Sequence, residues 1–168
     1  MNKKEGYLVF LVDDNKVFLT SLKNSLKERF GALLKISEYN TAEECIQNME
    51  ELPDIVFLDY YLNAGGHPDA MNGIKAMGEI KSISKDSMVI ILSGQDKLQV
   101  AIDAIKFGAY DYLSKSETVF LRIQNTVVNA IEYIKSKRMT KKHNNRNIGM
   151  AIFIVSIILI DVLWYTLH

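Results

Sequence analysis

Four short apolar runs in this chain each stop at a polar residue that is not an ordinary spacer. Tyr7-Leu8-Val9-Phe10-Leu11-Val12 stops at Asp13-Asp14. Ile55-Val56-Phe57-Leu58 stops at Asp59, and Met88-Val89-Ile90-Ile91-Leu92 stops at Ser93. Tyr110-Asp111-Tyr112-Leu113-Ser114 leads into Lys115. Short apolar runs with helical patterns between them read as buried parallel strands. The expected strands are 7–12, 32–37, 55–59, 88–92 and 110–113. The expected helices are 16–30, 41–50, 72–83, 97–107 and 118–138. Val17, Leu19, Leu22, Leu26 and Phe30 fall near helical spacing in the first helix. Thr41 with Glu44 forms a capping-box pattern at the start of the second. Gly31 and Gly108 stand just past helices, where a left-handed cap is wanted. Regular alternation of strand and helix predicts an α/β fold, a doubly wound parallel sheet with helices on both faces.

Ligands of such sheets bind beyond the carboxyl ends of the strands. Asp13, Asp14, Asp59, Ser93 and Lys115 are therefore expected to meet at one edge. Three carboxylates in one place repel one another and favour a hard divalent cation, Mg²⁺ in the first place. A hydroxyl and an ammonium beside that cation make a place for a phosphoryl group.

This constellation resembles the receiver domain of two-component response regulators over roughly residues 6–137. The resemblance rests on Asp13-Asp14, Asp59, Met71-Asn72-Gly73, Ser93-Gly94 and Gly108-Ala109-Tyr110-Asp111-Tyr112-Leu113-Ser114-Lys115 in that order. It implies the flavodoxin-like strand order 2-1-3-4-5, which the pattern alone does not supply. It implies that Asp59 is the phosphoacceptor. Asp14 would then bind Mg²⁺ directly, Asp13 mainly through water, and Tyr61 would contribute its main-chain carbonyl. Lys115 would meet one phosphoryl oxygen and Ser93 another. Ser93 and Tyr112 would form the switch, the ring turning inward as the hydroxyl moves, and Gly94 would leave room for the group to enter.

Some positions depart from the family. The segment 60–70 is longer than usual, and Gly65-Gly66 and Pro68 mark it as turn-forming. His67 within it reads as a solvated loop histidine rather than a ligand. Ser116 follows Lys115 where many members have proline. Tyr61 flanks the expected phosphoryl position and is a candidate shield against water. Gln95 flanks it too and is a candidate for orienting that water; the sequence does not decide between them.

Overall charge is balanced, with 20 basic and 20 acidic residues, yet the two signs are segregated. Lys135, Lys137, Arg138, Lys141, Lys142 and Arg146 fall in one stretch without an acid. An almost unbroken apolar segment, 148–167, follows, interrupted by Asp161 and ending near Trp164-Tyr165. About 20 helical residues span about 30 Å, the thickness of a bilayer core. Basic residues on one side and aromatics on the other predict a single transmembrane helix with the receiver in the cytoplasm. A buried dimerisation helix and a surface-lying amphipathic helix are the competing readings. The first has no polar stripe for solvent, and the second has only Asp161 for a charged face. The expected organisation is thus a receiver domain at 1–137, a basic juxtamembrane linker at 138–147 and a transmembrane helix at 148–167. The N-terminal run is too short for a secretory signal. The single Cys45 excludes an internal disulfide and reads as a packed residue of the second helix.

The expected function is a receiver at the inner (cytoplasmic) membrane, not itself an enzyme, that accepts a phosphoryl group on Asp59. A sensor histidine kinase or phosphotransfer protein would donate the group. With no room for an output domain, the signal would leave by contact with an unidentified protein, through the membrane helix, or by relay. A homodimer is compatible with this, and nucleic acid is not an expected partner. Two other classes compete: a membrane-associated interaction module that never takes up phosphate, and a phosphatase that works through an aspartyl phosphate. The complete set Asp13, Asp14, Asp59, Ser93 and Lys115 argues against the first. Tyr61, where a second aspartate would be needed, argues against the other.

Overall fold

The computed structural model describes residues 6–62, 71–94 and 98–167, with only some side chains from residue 142 onward. Strands and helices alternate through it: β1 (Tyr7–Val12), α1 (Lys16–Phe30), β2 (Leu34–Tyr39), α2 (Ala42–Gln47), β3 (Ile55–Asp59), α3 (Gly73–Ile83), β4 (Met88–Ser93), α4 (Leu98–Lys106), β5 (Asp111–Ser114) and α5 (Val119–Leu167). All neighbouring strands pair in parallel, in the order β2-β1-β3-β4-β5. The order expected by resemblance is therefore the observed one. Every residue of β3 and β4 is buried, which is why these strands read as continuous apolar runs without alternation.

The strand faces divide the core. Leu8, Phe10 and Val12 of β1 join Val56, Leu58, Val89 and Ile91 in one cluster, closed by Ala76, Met77 and Ile80 of α3 and by Ala42 and Cys45 of α2. The alternate residues Val9, Leu11, Phe57, Ile90 and Leu92 are buried as well and face the opposite way. On α1 the buried residues are Leu19, Leu22 and Leu26, the stripe expected from their spacing. Gln124 of α5 donates to Ser25 Oγ at 2.8 Å and accepts from Arg29 at 2.8 Å, which ties α1 to α5.

Several boundaries move. Residues Gly31–Leu33 form a turn of 3₁₀ helix, so β2 begins at Leu34, two residues later than expected. Gly31 takes φ 51°, a conformation that a side chain would resist, and Leu33 is spent on the turn and left exposed. Helix α2 ends at Gln47, short of residue 50. Thr41 caps it by accepting from the Glu44 N–H, while the Glu44 carboxylate reaches the N–H of Asn40 rather than that of the cap itself.

Helix α5 differs most from its expected extent. It is 49 residues long and runs through 138–147, where the sequence suggests a linker. The chain forms two compact units, Met1–Ala130 and Ile131–His168. Among the described residues, no helix is long and apolar enough to cross a membrane. The expected span, 148–167, is helical in its backbone, but most of its side chains lie outside the described residues. Those that are described, including Ile148, Met150 and Phe153, are exposed.

Candidate functional site

The parallel register brings the strand ends together. Asp59 is the last residue of β3 and pairs with Leu92, and Ser93 pairs with Ser114. The Asp13 N–H continues the β1–β2 ladder one step by donating to the Tyr39 carbonyl at 3.1 Å. That bond turns the Asp13 side chain inward, where it is buried. Its Oδ1 accepts from the Asn15 N–H at 3.0 Å, and Asn15 Oδ1 in turn accepts from Phe18 N–H at 3.0 Å as the cap of α1. The turn from β1 into α1 is thus fixed by the residues that follow the aspartate pair.

Lys115 is set by its own backbone, whose N–H donates to the Ser93 carbonyl at 2.7 Å. From there its ammonium reaches Asp13 Oδ2 at 2.6 Å and Asp59 Oδ1 at 2.8 Å. Asp14 is exposed at the rim. Asp13, Asp14 and Asp59 can each offer one oxygen within 4.8 Å of the others. A cleft of about 440 Å³ is lined by Asp13, Asp14, Asn15, Asp59, Tyr61, Gly94 and Lys115.

Burial pushes the Asp59 carboxyl above its ordinary range; the bonded Lys115 pulls it back only in part, and the charges of Asp13 and Asp14 add to the rise. Burial also works against the Lys115 ammonium, but the hydrogen bonds and charges of Asp13 and Asp59 outweigh it, and the group stays charged to higher pH than a free lysine. Three carboxylates against one ammonium leave an excess of negative charge at hard oxygen donors. The two oxygens that meet Lys115, Asp13 Oδ2 and Asp59 Oδ1, are buried, and both residues line the cleft. This donor set fits a hard divalent cation of the Mg²⁺ kind.

The sequence-expected residues Asp13, Asp14, Asp59, Tyr61 and Lys115 are thus brought to one cleft. Ser93 is fully buried at the end of β4, immediately before Gly94 of the lining. Tyr112 of β5 pairs with Ile91 of β4 and packs, half-buried, against the core cluster, outside the cleft lining. Gln95, His67 and the loop 63–70 lie outside the described residues. The structure adds three residues that sequence reasoning passed over or left without a role. Asn15 lines the cleft and caps α1, and Asn at the head of a helical pattern is a legible signal for that. Phe18 holds its ring 4.8 Å from the Lys115 ammonium, and nothing in its local pattern announces this. Gly73 opens α3 against the backbone of Asp59, where a Cβ would stand 2.6 Å from the Asp59 carbonyl oxygen.

Comparison with known proteins agrees with this geometry. The family profile of the response regulator receiver domain matches residues 9–143. The chain is 32% identical over 108 residues to the photosynthetic apparatus regulatory protein RegA of Rhodobacter capsulatus, covering 64% of this chain and 54% of the relative. It is 32% identical over 111 residues to the chemotaxis protein CheY of Thermotoga maritima, covering 66% of this chain and 86% of the relative. It thus spans about half the length of regulators such as RegA and most of the length of CheY. Among solved structures, a CheY-like receiver domain protein from Methanospirillum hungatei superposes with a TM-score of 0.65 at 20% identity, over 78% of this chain and 98% of that one.

Proposed function

The chain belongs to the response regulator receiver family, and we propose that within it Asp59 is the residue that accepts the phosphoryl group. The observation that carries this assignment is the Lys115 ammonium joined to both Asp59 and Asp13 at the carboxyl end of the sheet. The donor is a sensor histidine kinase or a phosphotransfer protein, the partners with which receiver domains interact. An Asp59 oxygen attacks the phosphorus of a phosphohistidine; the O–P bond forms, the P–N bond breaks, and the imidazole leaves. Asp14, Asp59 and the Tyr61 main-chain carbonyl, with Asp13 beside them, would hold Mg²⁺, which would supply neutralising charge to the transferred group when bound. Lys115 then exchanges a carboxylate for a phosphoryl oxygen, and the Ser93 hydroxyl takes another. Movement of Ser93 draws the Tyr112 ring inward on the neighbouring strand, and the signal leaves by protein contact.

The membrane assignment rests on sequence. The six basic residues from Lys135 to Arg146 precede the apolar segment 148–167, and the positive-inside rule keeps the receiver in the cytoplasm. A single-pass anchor in the inner membrane follows from this order.

The test is incubation of the full-length protein with Mg²⁺ and a small phosphodonor, read by intact mass. A phosphoryl adduct in the wild type that is absent from Asp59→Asn is the expected result. An adduct that persists in Asp59→Asn overturns the assignment.

A further inference from the structure

A lysine side chain that must meet a phosphoryl oxygen has four rotatable bonds to control, and holding them in one arrangement costs rotamer entropy. The two carboxylates beside Lys115 do not by themselves solve this problem. Both belong to the anionic set that takes up the metal and the phosphoryl group, so their contacts with the ammonium change as the site is used. A third neighbour lies outside that set. The Lys115 ammonium stands 4.8 Å from the centre of the Phe18 ring, within the range of cation–π attraction. Phe18 in turn stacks on Phe120, with centroids 5.5 Å apart and planes 28° apart. The two rings come from the first turns of α1 and α5, the helices that follow the Asp13-Asp14 pair and Lys115 itself. The Phe18 backbone is anchored by the Asn15 cap, and Asn15 also binds Asp13 through its own N–H.

We propose that the stacked pair Phe18–Phe120 is a positioning platform for the Lys115 ammonium, with Phe18 the residue that touches it. The ring attracts the cation through its negative face and accepts no conventional hydrogen bond from it. All three N–H donors of the ammonium therefore stay available to oxygen. The ring also carries no net charge, so it does not repel an incoming phosphoryl group as a third carboxylate would. Lys115 can leave a carboxylate for a phosphoryl oxygen while its contact with Phe18 persists. Phe18 acts only through Lys115 and is not a catalytic residue.

This inference rests on phosphorylation at Asp59, and the experiment separates the two. Full-length wild type, Phe18→Leu and Phe18→Tyr are phosphorylated with a small phosphodonor in Mg²⁺, and the initial rates are compared, alone and in a Lys115→Ala background. Phe18→Leu should slow uptake roughly two- to thirtyfold, the span that corresponds to a cation–π contact at exposed to desolvated sites. Phe18→Tyr should restore the rate. In Lys115→Ala, Phe18→Leu should add no further loss, because the ring has no ammonium left to hold. An equal loss in that background assigns Phe18 to packing alone and overturns the platform, as does an undiminished rate in Phe18→Leu. Failure of the wild type itself to take up phosphate is a failure of the Asp59 assignment. Should Phe18→Leu not fold, the Lys115 ε-methylene protons of the wild type decide: an upfield ring-current shift supports the platform, and its absence overturns it.

Discussion

Gly73 and Asp59 touch backbone to backbone. The Gly73 N–H donates to the carbonyl of Tyr60, the residue after Asp59, at 3.0 Å. A Cβ at residue 73 would stand 2.6 Å from the Asp59 carbonyl oxygen and 2.8 Å from the Tyr60 Cα. Both opposing atoms are main chain and cannot swing aside. Gly73→Ala should therefore push the end of β3 away from α3, with a stability loss of about 1–3 kcal/mol. The phosphoryl-uptake rate should fall with it, since Asp59 moves with its strand. Denaturant melts and uptake rates on the same preparation check this; an unchanged midpoint would mean that α3 yields without disturbing the site.

Asp14 and Asp13 should differ as metal ligands. Asp13 is buried, one oxygen held by the Asn15 N–H and the other by Lys115, whereas Asp14 is exposed at the rim. Asp14→Ala should weaken Mg²⁺ binding by roughly a hundredfold or more, beyond the roughly 10–100-fold loss usual for a residue that only supports a ligand. Asp13→Ala should weaken it less. Calorimetric titration of the full chain checks the order; equal affinities for wild type and Asp14→Ala would remove Asp14 from the metal site.

The raised Asp59 pKa has a defined consequence for stability. Burial, the largest cause, favours the neutral carboxyl in the folded chain over its ordinary value of 3.8. Between that value and the raised one, the folded state binds more protons than the unfolded state. Stability from this group is then fully present at acid pH and is lost as pH rises through the folded pKa. Without divalent cation, Asp59→Asn should gain on the wild type in melting temperature as pH rises from about 4 toward neutrality. A wild type that gains on Asp59→Asn over that range would show that Lys115 outweighs burial.

Tyr61 lines the cleft, and its ring meets that of Tyr60 edge-on at 4.6 Å. A ring braced in this way is suited to keeping water from an acyl phosphate. Tyr61→Ala should shorten the lifetime of the phosphoprotein in a time course of phosphate release. An equal or longer lifetime would exclude shielding and leave Gln95 as the residue to examine.

The segment 148–167 should hold the full chain in membranes. The protein should pellet with the membrane fraction and resist extraction by carbonate or high salt. Asp161, about 10 Å from the far end of the segment at 1.5 Å per residue, should be tolerated. Nearer the centre a charge would cost roughly 2.5–3.5 kcal/mol. Release by salt alone would replace the spanning helix with one bound at the surface.

The elements were legible where one face or both faces are buried. β1, β3 and the start of β4 fall where the apolar runs place them, because a strand buried on both faces leaves an unbroken signal. β2 was displaced by two residues because it is the edge strand, and its burial is too partial to mark a register. The extent of α5 was not legible either. The basic stretch 138–147 is polar all round and contains good helix formers, a composition that fits an exposed helix as well as a linker.

The sequence by itself determined which chemical groups stand at the strand ends, because strand periodicity and chain order are local properties. It determined the three carboxylates, the hydroxyl and the ammonium, and therefore the hard-cation and phosphoryl character of the site. Only the tertiary structure decided which oxygens the ammonium meets, that Phe18 lies beside it, and that Gly73 closes on Asp59. Those contacts join segments far apart in the chain, and their distances are set by strand order, register and helix packing. No local pattern of polar and apolar residues records those quantities.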